Sequence, residues 1–204
     1  MSDENSIVEN VKLATKAIRF YFSRRILGDT SLIKYCNELT RDYIGSAVEL
    51  WAGHTYVGVP KQKQIQEAFQ EFYTELMKLL LAIQDGSIKA TEEELSFANS
   101  LLYRGTIYRY LGNGNPCKKI RKPIEPKYDG IYVSWSTKEE LTPYMDTKLY
   151  GVKTLLVANI TKDYGINLEY FGLVQQENEN EIVYPTNKES LVGIKYIKKR
   201  SNSD

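Results

Sequence analysis

Leu101-Leu102-Tyr103-Arg104-Gly105-Thr106-Ile107-Tyr108-Arg109-Tyr110 is where the texture of the chain changes. From Leu102 to Tyr110 the stretch is rich in Tyr, Ile and Thr, which suit a pleated, half-buried surface, and it predicts a strand. Upstream, the apolar residues recur at helical spacing. Ile7, Val8, Val11, Ile18 and Phe22 form one stripe, and Leu32, Cys36, Leu39, Tyr43, Ala47 and Leu50 a second. Ile65, Phe69, Phe72, Leu76, Leu79, Leu80 and Ile83 make the clearest one. Gly28-Asp29 separates the first two helices, with Asp29, Thr30 or Ser31 available as a cap, and another break falls between Gly53 and Pro60. Asp85-Gly86 ends the third helix and Thr91-Glu92-Glu93-Glu94 opens a fourth. The stripes read as core-facing surfaces rather than a cofactor box.

Downstream the segments are short and strand-like. Gly112 to Gly130, with its Gly, Asn and Pro residues, reads as a long loop carrying Lys118-Lys119-Ile120-Arg121-Lys122. Ile131 to Ser134 is a short strand. Ser136-Thr137-Lys138-Glu139 has capping-box spacing and predicts a helix through about Met145. Further strands are expected at Val152–Ile160, around Ile166–Leu173, at Glu181–Tyr184 and at Leu191–Ile197. Helices first and strands second predict an α+β protein, with a helical region over 1–100 and a β domain over 101–204.

Composition narrows the function classes. The chain has 204 residues, 42% apolar and 26% charged, the profile of a globular protein rather than a disordered one. A net charge of +1 supplies no global field for nucleic acid or an anionic membrane. No apolar run of about 18 residues predicts a transmembrane helix. Met1 to Asn5 is acidic and polar, unlike an ordinary secretory signal, so the cytoplasm of the producing, infected or targeted cell is expected. Cys36 falls on an apolar helix face and reads as a small core residue, while Cys117 follows Pro116 in the loop. Nothing supports a disulfide between them. His54 is the only histidine, without a Cys or His cluster around it, which argues against a zinc site or a histidine-based triad.

Three segments carry candidate chemistry. Glu179-Asn180-Glu181-Ile182-Val183-Tyr184-Pro185 sets two carboxylates two residues apart. In a strand they would share a face, roughly 7 Å apart at Cα, and repel unless a cationic ligand or transition state receives them. Alone, the stretch also reads as a solvated turn, since Gln175 to Glu181 is polar throughout. Tyr103-Arg104-Gly105 places an arginine before a glycine on a strand, and Tyr132-Val133-Ser134-Trp135-Ser136 is an aromatic-x-Ser-x-Ser strand end. In this order and spacing the three resemble the Arg, Ser-x-Ser, Glu-x-Glu pattern of the mono-ADP-ribosyltransferases. The likeness is to the arginine-modifying branch, which includes cholera-toxin-like toxins, vertebrate ecto-transferases and small phage transferases. It covers roughly Leu101 to Ile197.

The resemblance implies a split β-sandwich around a groove for NAD+, used as co-substrate without a metal. Cleaving the nicotinamide–ribose bond builds positive charge on the ribose, which a fixed carboxylate and a hydrogen bond to a ribose hydroxyl stabilise, as in glycoside hydrolysis. By the resemblance Glu181 has this role. Arg104 matches the diphosphate-binding position, where a planar, permanently charged fork is suited. Gly105 lets its backbone approach the nicotinamide amide, Ser134 orients the glutamate and the ribose, and Ser136 completes the NAD+-binding set. Glu179 implies arginine as acceptor, because a guanidinium keeps its proton in the ground state and must be held and deprotonated late. Tyr170 and Phe171 fall where the family recognises its target protein, although Phe171 could equally be buried in the sheet. The expected partners are NAD+ and a protein bearing an acceptor arginine, not a membrane or nucleic acid.

Other readings stand beside these. Arg104 reads equally as one end of a surface ion pair, Ser136 as a helix N-cap and Lys118 to Lys122 as a solvated loop. Arg109 competes for the diphosphate position but lacks the following glycine. Trp135 replaces a small residue between the serines and should face the core, away from Ser134. An NAD+ glycohydrolase using the same groove, or a non-enzymatic protein- or RNA-binding module, are the rival functions.

Overall fold

A computed structural model describes the backbone of residues 2–54, 62–113, 132–140, 150–171, 180–185 and 191–197. Side chains are described within 5–50, 63–109, 135–140, 155–161, 163–171 and 180–184. The protein is α+β, with its helices preceding its strands. It divides into two compact units, Met1–Leu102 and Tyr103–Asp204.

The first unit begins with α1, Ser2–Ile26, and its longest partner is α4, Gln62–Gln84. Ile7, Val11, Ala14, Ile18 and Tyr21 are buried on α1, alternating steps of four and three residues. Ile65, Phe69, Phe72, Leu76, Leu79 and Ile83 repeat that alternation on α4. Each series keeps one side of its helix apolar, and the two helices pack on each other. Val8 and Phe22 lie at the edge of this seam, half-buried.

Between them the second stripe folds as a 3₁₀ turn, Ile33–Tyr35, a short α2, Cys36–Glu38, a π-helical stretch, Leu39–Gly45, and α3, Ser46–His54. The buried series Cys36, Thr40, Ile44 and Val48 has a strict four-residue step. On a straight α-helix that step would carry Val48 about 120° away from Cys36. The wider π turns absorb the drift and keep all four on one face. Thr40 also donates its hydroxyl to the Cys36 carbonyl at 2.8 Å. Asp29 is not the cap of this segment. Its carboxylate instead accepts from the Ser31 backbone N–H and hydroxyl, an Asx turn, and Leu32 stands at the cap position without a side-chain bond.

The fourth helix, α5, Glu92–Leu101, starts at a capping box. Thr91 accepts from the Glu94 N–H at 3.2 Å, and Glu94 accepts from the Thr91 N–H at 2.8 Å. Glu94 is also fully buried and takes both Nε and Nη2 of Arg25, each at 2.9 Å, and the Tyr21 hydroxyl at 2.6 Å. Arg25 further donates to the carbonyls of Lys89 and Asp29. Burial pushes the Glu94 carboxyl upward, but Arg25, Tyr21 and the Thr91 N–H outweigh it and hold it below the usual carboxylate range. The end of α1 and the start of α5 are thereby tied by one buried polar network.

The second unit contains β1, Leu102–Asn113; β2, Tyr132–Ser136; β3, Tyr150–Asn167; β4, Glu181–Pro185; and β5, Leu191–Ile197. The sheet order is β1-β2-β4-β3-β5, and an additional β1–β3 pairing closes the first four strands into a ring. β5 pairs antiparallel with the first part of β3, with a bulge at Val157/Ala158. Ile107, Trp135, Leu156, Ala158, Ile160, Ile182 and Tyr184 form the core of this unit.

Three expectations are corrected here. The two strands predicted at Val152–Ile160 and Ile166–Leu173 are one continuous β3, because Asp163-Tyr164-Gly165 runs through in extended form. Gly165 is the reason a glycine sits in that run without making a turn: a Cβ there would collide with the Ile182 side chain and press on Ile160. Leu168–Phe171 then forms a 3₁₀ turn rather than strand. The helix expected to open at Ser136 is absent over 137–140, which are bends and irregular backbone, while its remainder to Met145 lies outside the described residues.

Candidate functional site

Strand register decides which predicted residues come together. β2 and β4 pair antiparallel, with Ser136 opposite Glu181, Trp135 opposite Ile182 and Ser134 opposite Val183. β1 joins the same row through Tyr108 opposite Ser136. Tyr108, Ser136 and Glu181 therefore occupy one rung across three neighbouring strands, each step about 4.8 Å. The alternate positions, Ile107, Trp135 and Ile182, are buried in the core, so the rung lies on the opposite face. Trp135 is 2% exposed, the core position that alternation required of it. Glu181 and Ser136 are half-buried at the edge between core and solvent.

Ser136 is held where β2 ends. Its hydroxyl accepts from the Lys138 N–H at 2.9 Å, a local turn bond rather than a helix cap, and the Thr137 N–H reaches the Asn180 carbonyl at 3.2 Å. That last bond fixes the entrance to β4. Asn180 has φ +44°, the left-handed region that Asn tolerates better than most residues. The strand consequently starts at Glu181, and the simple alternation that would set positions 179 and 181 one pleat apart does not run through Asn180. Glu179 itself lies outside the described residues. Ser134 occupies its place on β2, with its backbone paired, and its side chain is outside them too.

Arg104 lies on β1, exposed. Its position shares parity with Tyr108, whereas Arg109 shares the parity of the core residue Ile107, which separates the two competing arginines. The Arg104 guanidinium carbon sits 3.9 Å from the centroid of the Tyr164 ring, and its Nε donates to the Asp163 carbonyl at 3.4 Å. β1 therefore presents the arginine and β3 supports it.

Gly105 has φ +145°, where side chains are rarely tolerated. A Cβ there would also come within 2.8 Å of the Tyr103 hydroxyl, which donates to the Thr106 carbonyl at 3.2 Å. The backbone conformation is thus what calls for glycine, and the curled Tyr103 ring lies close beside it. Burial, with a smaller contribution from Tyr108, pushes the Tyr103 hydroxyl above the ordinary tyrosine range, so it is a neutral donor.

Tyr170 and Phe171 lie on the 3₁₀ turn that follows β3. Their rings meet edge to face, centroids 5.3 Å apart, with Tyr170 exposed and Phe171 half-buried. Phe171 is not part of the sheet. The loop after them is outside the described residues, as are Lys118 to Lys122 and Cys117.

Sequence reasoning missed Tyr164 and Tyr108. The available signal was the abundance of tyrosine, sixteen in all, but their roles depend on strand pairing. It also missed a cavity of about 560 Å³ in the helical unit, walled by Leu13, Phe20, Tyr21, Tyr35 and Tyr43. Cys36 is a free, buried thiol, as its place on the apolar helix face indicated. Among the described residues no group of His, Cys, Asp and Glu could hold a metal ion, and no helix is long and apolar enough to cross a membrane. In comparisons with known proteins, no family model, no curated protein and no solved structure matches this chain.

Proposed function

We propose that the chain is an NAD+-dependent mono-ADP-ribosyltransferase of the arginine-modifying type, its β unit a variant of the split sandwich of that family. The observation that carries this reading is the register that sets Ser136 opposite Glu181. Two motifs 45 residues apart in sequence share one rung, on the face opposite the core. Arg104, the residue the third motif supplies, lies on the adjoining β1 at a position of the same parity. A surface ion pair or an isolated helix cap would not call for that convergence.

In this reading Arg104 holds the diphosphate of NAD+ and Glu181 faces the nicotinamide ribose. Positive charge builds at the ribose C1′ as its bond to the nicotinamide nitrogen breaks, and the nicotinamide leaves with the electron pair. A carboxylate in a half-buried setting stabilises that charge more than one in water would. A guanidinium nitrogen of the target protein attacks C1′ and loses its proton as the bond forms, with Glu179 as the acceptor-side carboxylate. Tyr170, exposed next to the site's strand, suits contact with the target protein.

Incubation with NAD+ labelled on the adenylate tests the reading. Free nicotinamide with label on an arginine-bearing protein is the expected result. Nicotinamide with free ADP-ribose alone would make the protein a glycohydrolase, and neither product would remove the assignment.

A further inference from the structure

One side-chain contact of Arg104 comes from a residue that no motif contains. Tyr164 brings its ring under the guanidinium, with Cζ 3.9 Å from the centroid, and the preceding residue, Asp163, accepts the Nε–H on its carbonyl at 3.4 Å. One dipeptide of β3 thus touches Arg104 from two directions. An exposed arginine on a strand otherwise samples many rotamers, and its fork is then aimed only a fraction of the time.

Gly165 follows the dipeptide, packed so closely that a Cβ there would meet the Ile182 and Ile160 side chains. Ile166 pairs with Val183, two residues after Glu181 on the same strand. Tyr164 therefore connects the arginine on β1 to the strand that begins at Glu181.

We propose that Tyr164 is the positioning residue for Arg104: its ring face, with the Asp163 carbonyl, orients the guanidinium so that its Nη edge meets the NAD+ diphosphate. This rests on the transferase reading above. The Nε–H is directed to the Asp163 carbonyl, and a guanidinium presents its other N–H groups on the two Nη nitrogens, a fork that suits paired phosphate oxygens. The ring face attracts the cation by its quadrupole, so a phenylalanine would serve and an aliphatic side chain would not.

The test compares wild type with Tyr164→Phe, Tyr164→Leu and Tyr164→Met, measuring nicotinamide release and its inhibition by ADP-ribose and by nicotinamide. The leucine and methionine variants should raise KM for NAD+ about five-fold and weaken ADP-ribose inhibition to match, with kcat within about two-fold of wild type. Inhibition by nicotinamide, which has no phosphate, should not change. The phenylalanine variant should stay within about two-fold of wild type throughout. Thermal unfolding identifies any variant that does not fold, and the other aliphatic variant then decides. Unchanged KM in a folded aliphatic variant, or an equal loss of nicotinamide affinity, would overturn the positioning role while leaving the transferase reading standing. A wild-type protein that releases no nicotinamide would overturn both.

Discussion

Each unit of this protein sets an arginine and a glutamate on different elements, and the two sets differ in burial. In the helical unit the Arg25 and Glu94 side chains are 2% and 0% exposed and hold each other directly, with Tyr21, Thr91 and two carbonyls completing their hydrogen bonds. In the β unit Arg104 is exposed on one strand, supported by an aromatic face, and Glu181 sits half-buried at the start of another. A buried pair with its lone pairs filled by its own fold joins two helices and cannot receive a ligand. In the β unit the arginine and the glutamate stand on separate strands, one exposed and one half-buried, and neither is enclosed as Arg25 and Glu94 are. Burial separates the two sets of residues, which residue type alone does not.

The largest expected break in this comparison is on the helical side. Glu94→Ala leaves a buried guanidinium without its carboxylate and should destabilise the helical unit by about 3–5 kcal/mol, read as a drop in the urea midpoint. A change below about 1 kcal/mol would show that the network is not what ties α1 to α5. On the β side, Glu179→Gln should cut transfer to protein about a hundred-fold, equal to roughly 2.7 kcal/mol, while nicotinamide release persists. Equal loss of both activities would remove its acceptor role.

A smaller effect follows from the charge state of Glu94. Its carboxyl is depressed in the fold, so between the folded and the ordinary values of about 4.3 the unfolded chain binds more protons. The stability it contributes is present above that range and is lost as pH falls through the folded value. Urea midpoints should therefore drop less steeply below pH ~4.5 in Glu94→Gln than in wild type. Identical slopes would mean that Glu94 does not report the pair. The smallest effect is expected from Arg104→Ala, within about 1 kcal/mol of wild-type stability, because an exposed cation on a ring contributes little to folding. A loss as large as that of Glu94→Ala would make Arg104 a structural residue like Arg25.

Much of the helical unit was legible in its residues, and the reasons are local. The α4 stripe follows the helix period, and the Thr91 to Glu94 capping box needs only three residues of spacing. The π stretch was not legible, because Leu32, Cys36, Leu39, Tyr43, Ala47 and Leu50 read as an ordinary helical stripe, and the four-residue step of the buried Cys36, Thr40, Ile44 and Val48 shows only in the fold. In the β unit, Gly165 falls between the two strands expected at Val152–Ile160 and around Ile166–Leu173, yet it lies within one strand, packed against Ile182. Family likeness implied that Ser134 orients Glu181, whereas the register sets Ser136 opposite Glu181 and Ser134 opposite Val183, and the residues beneath Arg104 were not implied at all. A cation over an aromatic ring depends on which strands pair, and no spacing within one segment encodes that. The backbone of the Glu-x-Glu stretch turns left-handed at Asn180, whose carbonyl accepts from the Thr137 N–H, and Glu179 itself lies outside the described residues.

The central claim is that Glu181 faces a sugar on which positive charge develops. The direct measurement is nicotinamide release from saturating NAD+ by wild type and by Glu181→Ala, with both shown to be folded by their urea transitions. Wild type should release nicotinamide, and the variant should do so at least about a hundred-fold more slowly. Equal release by the two would contradict the claim.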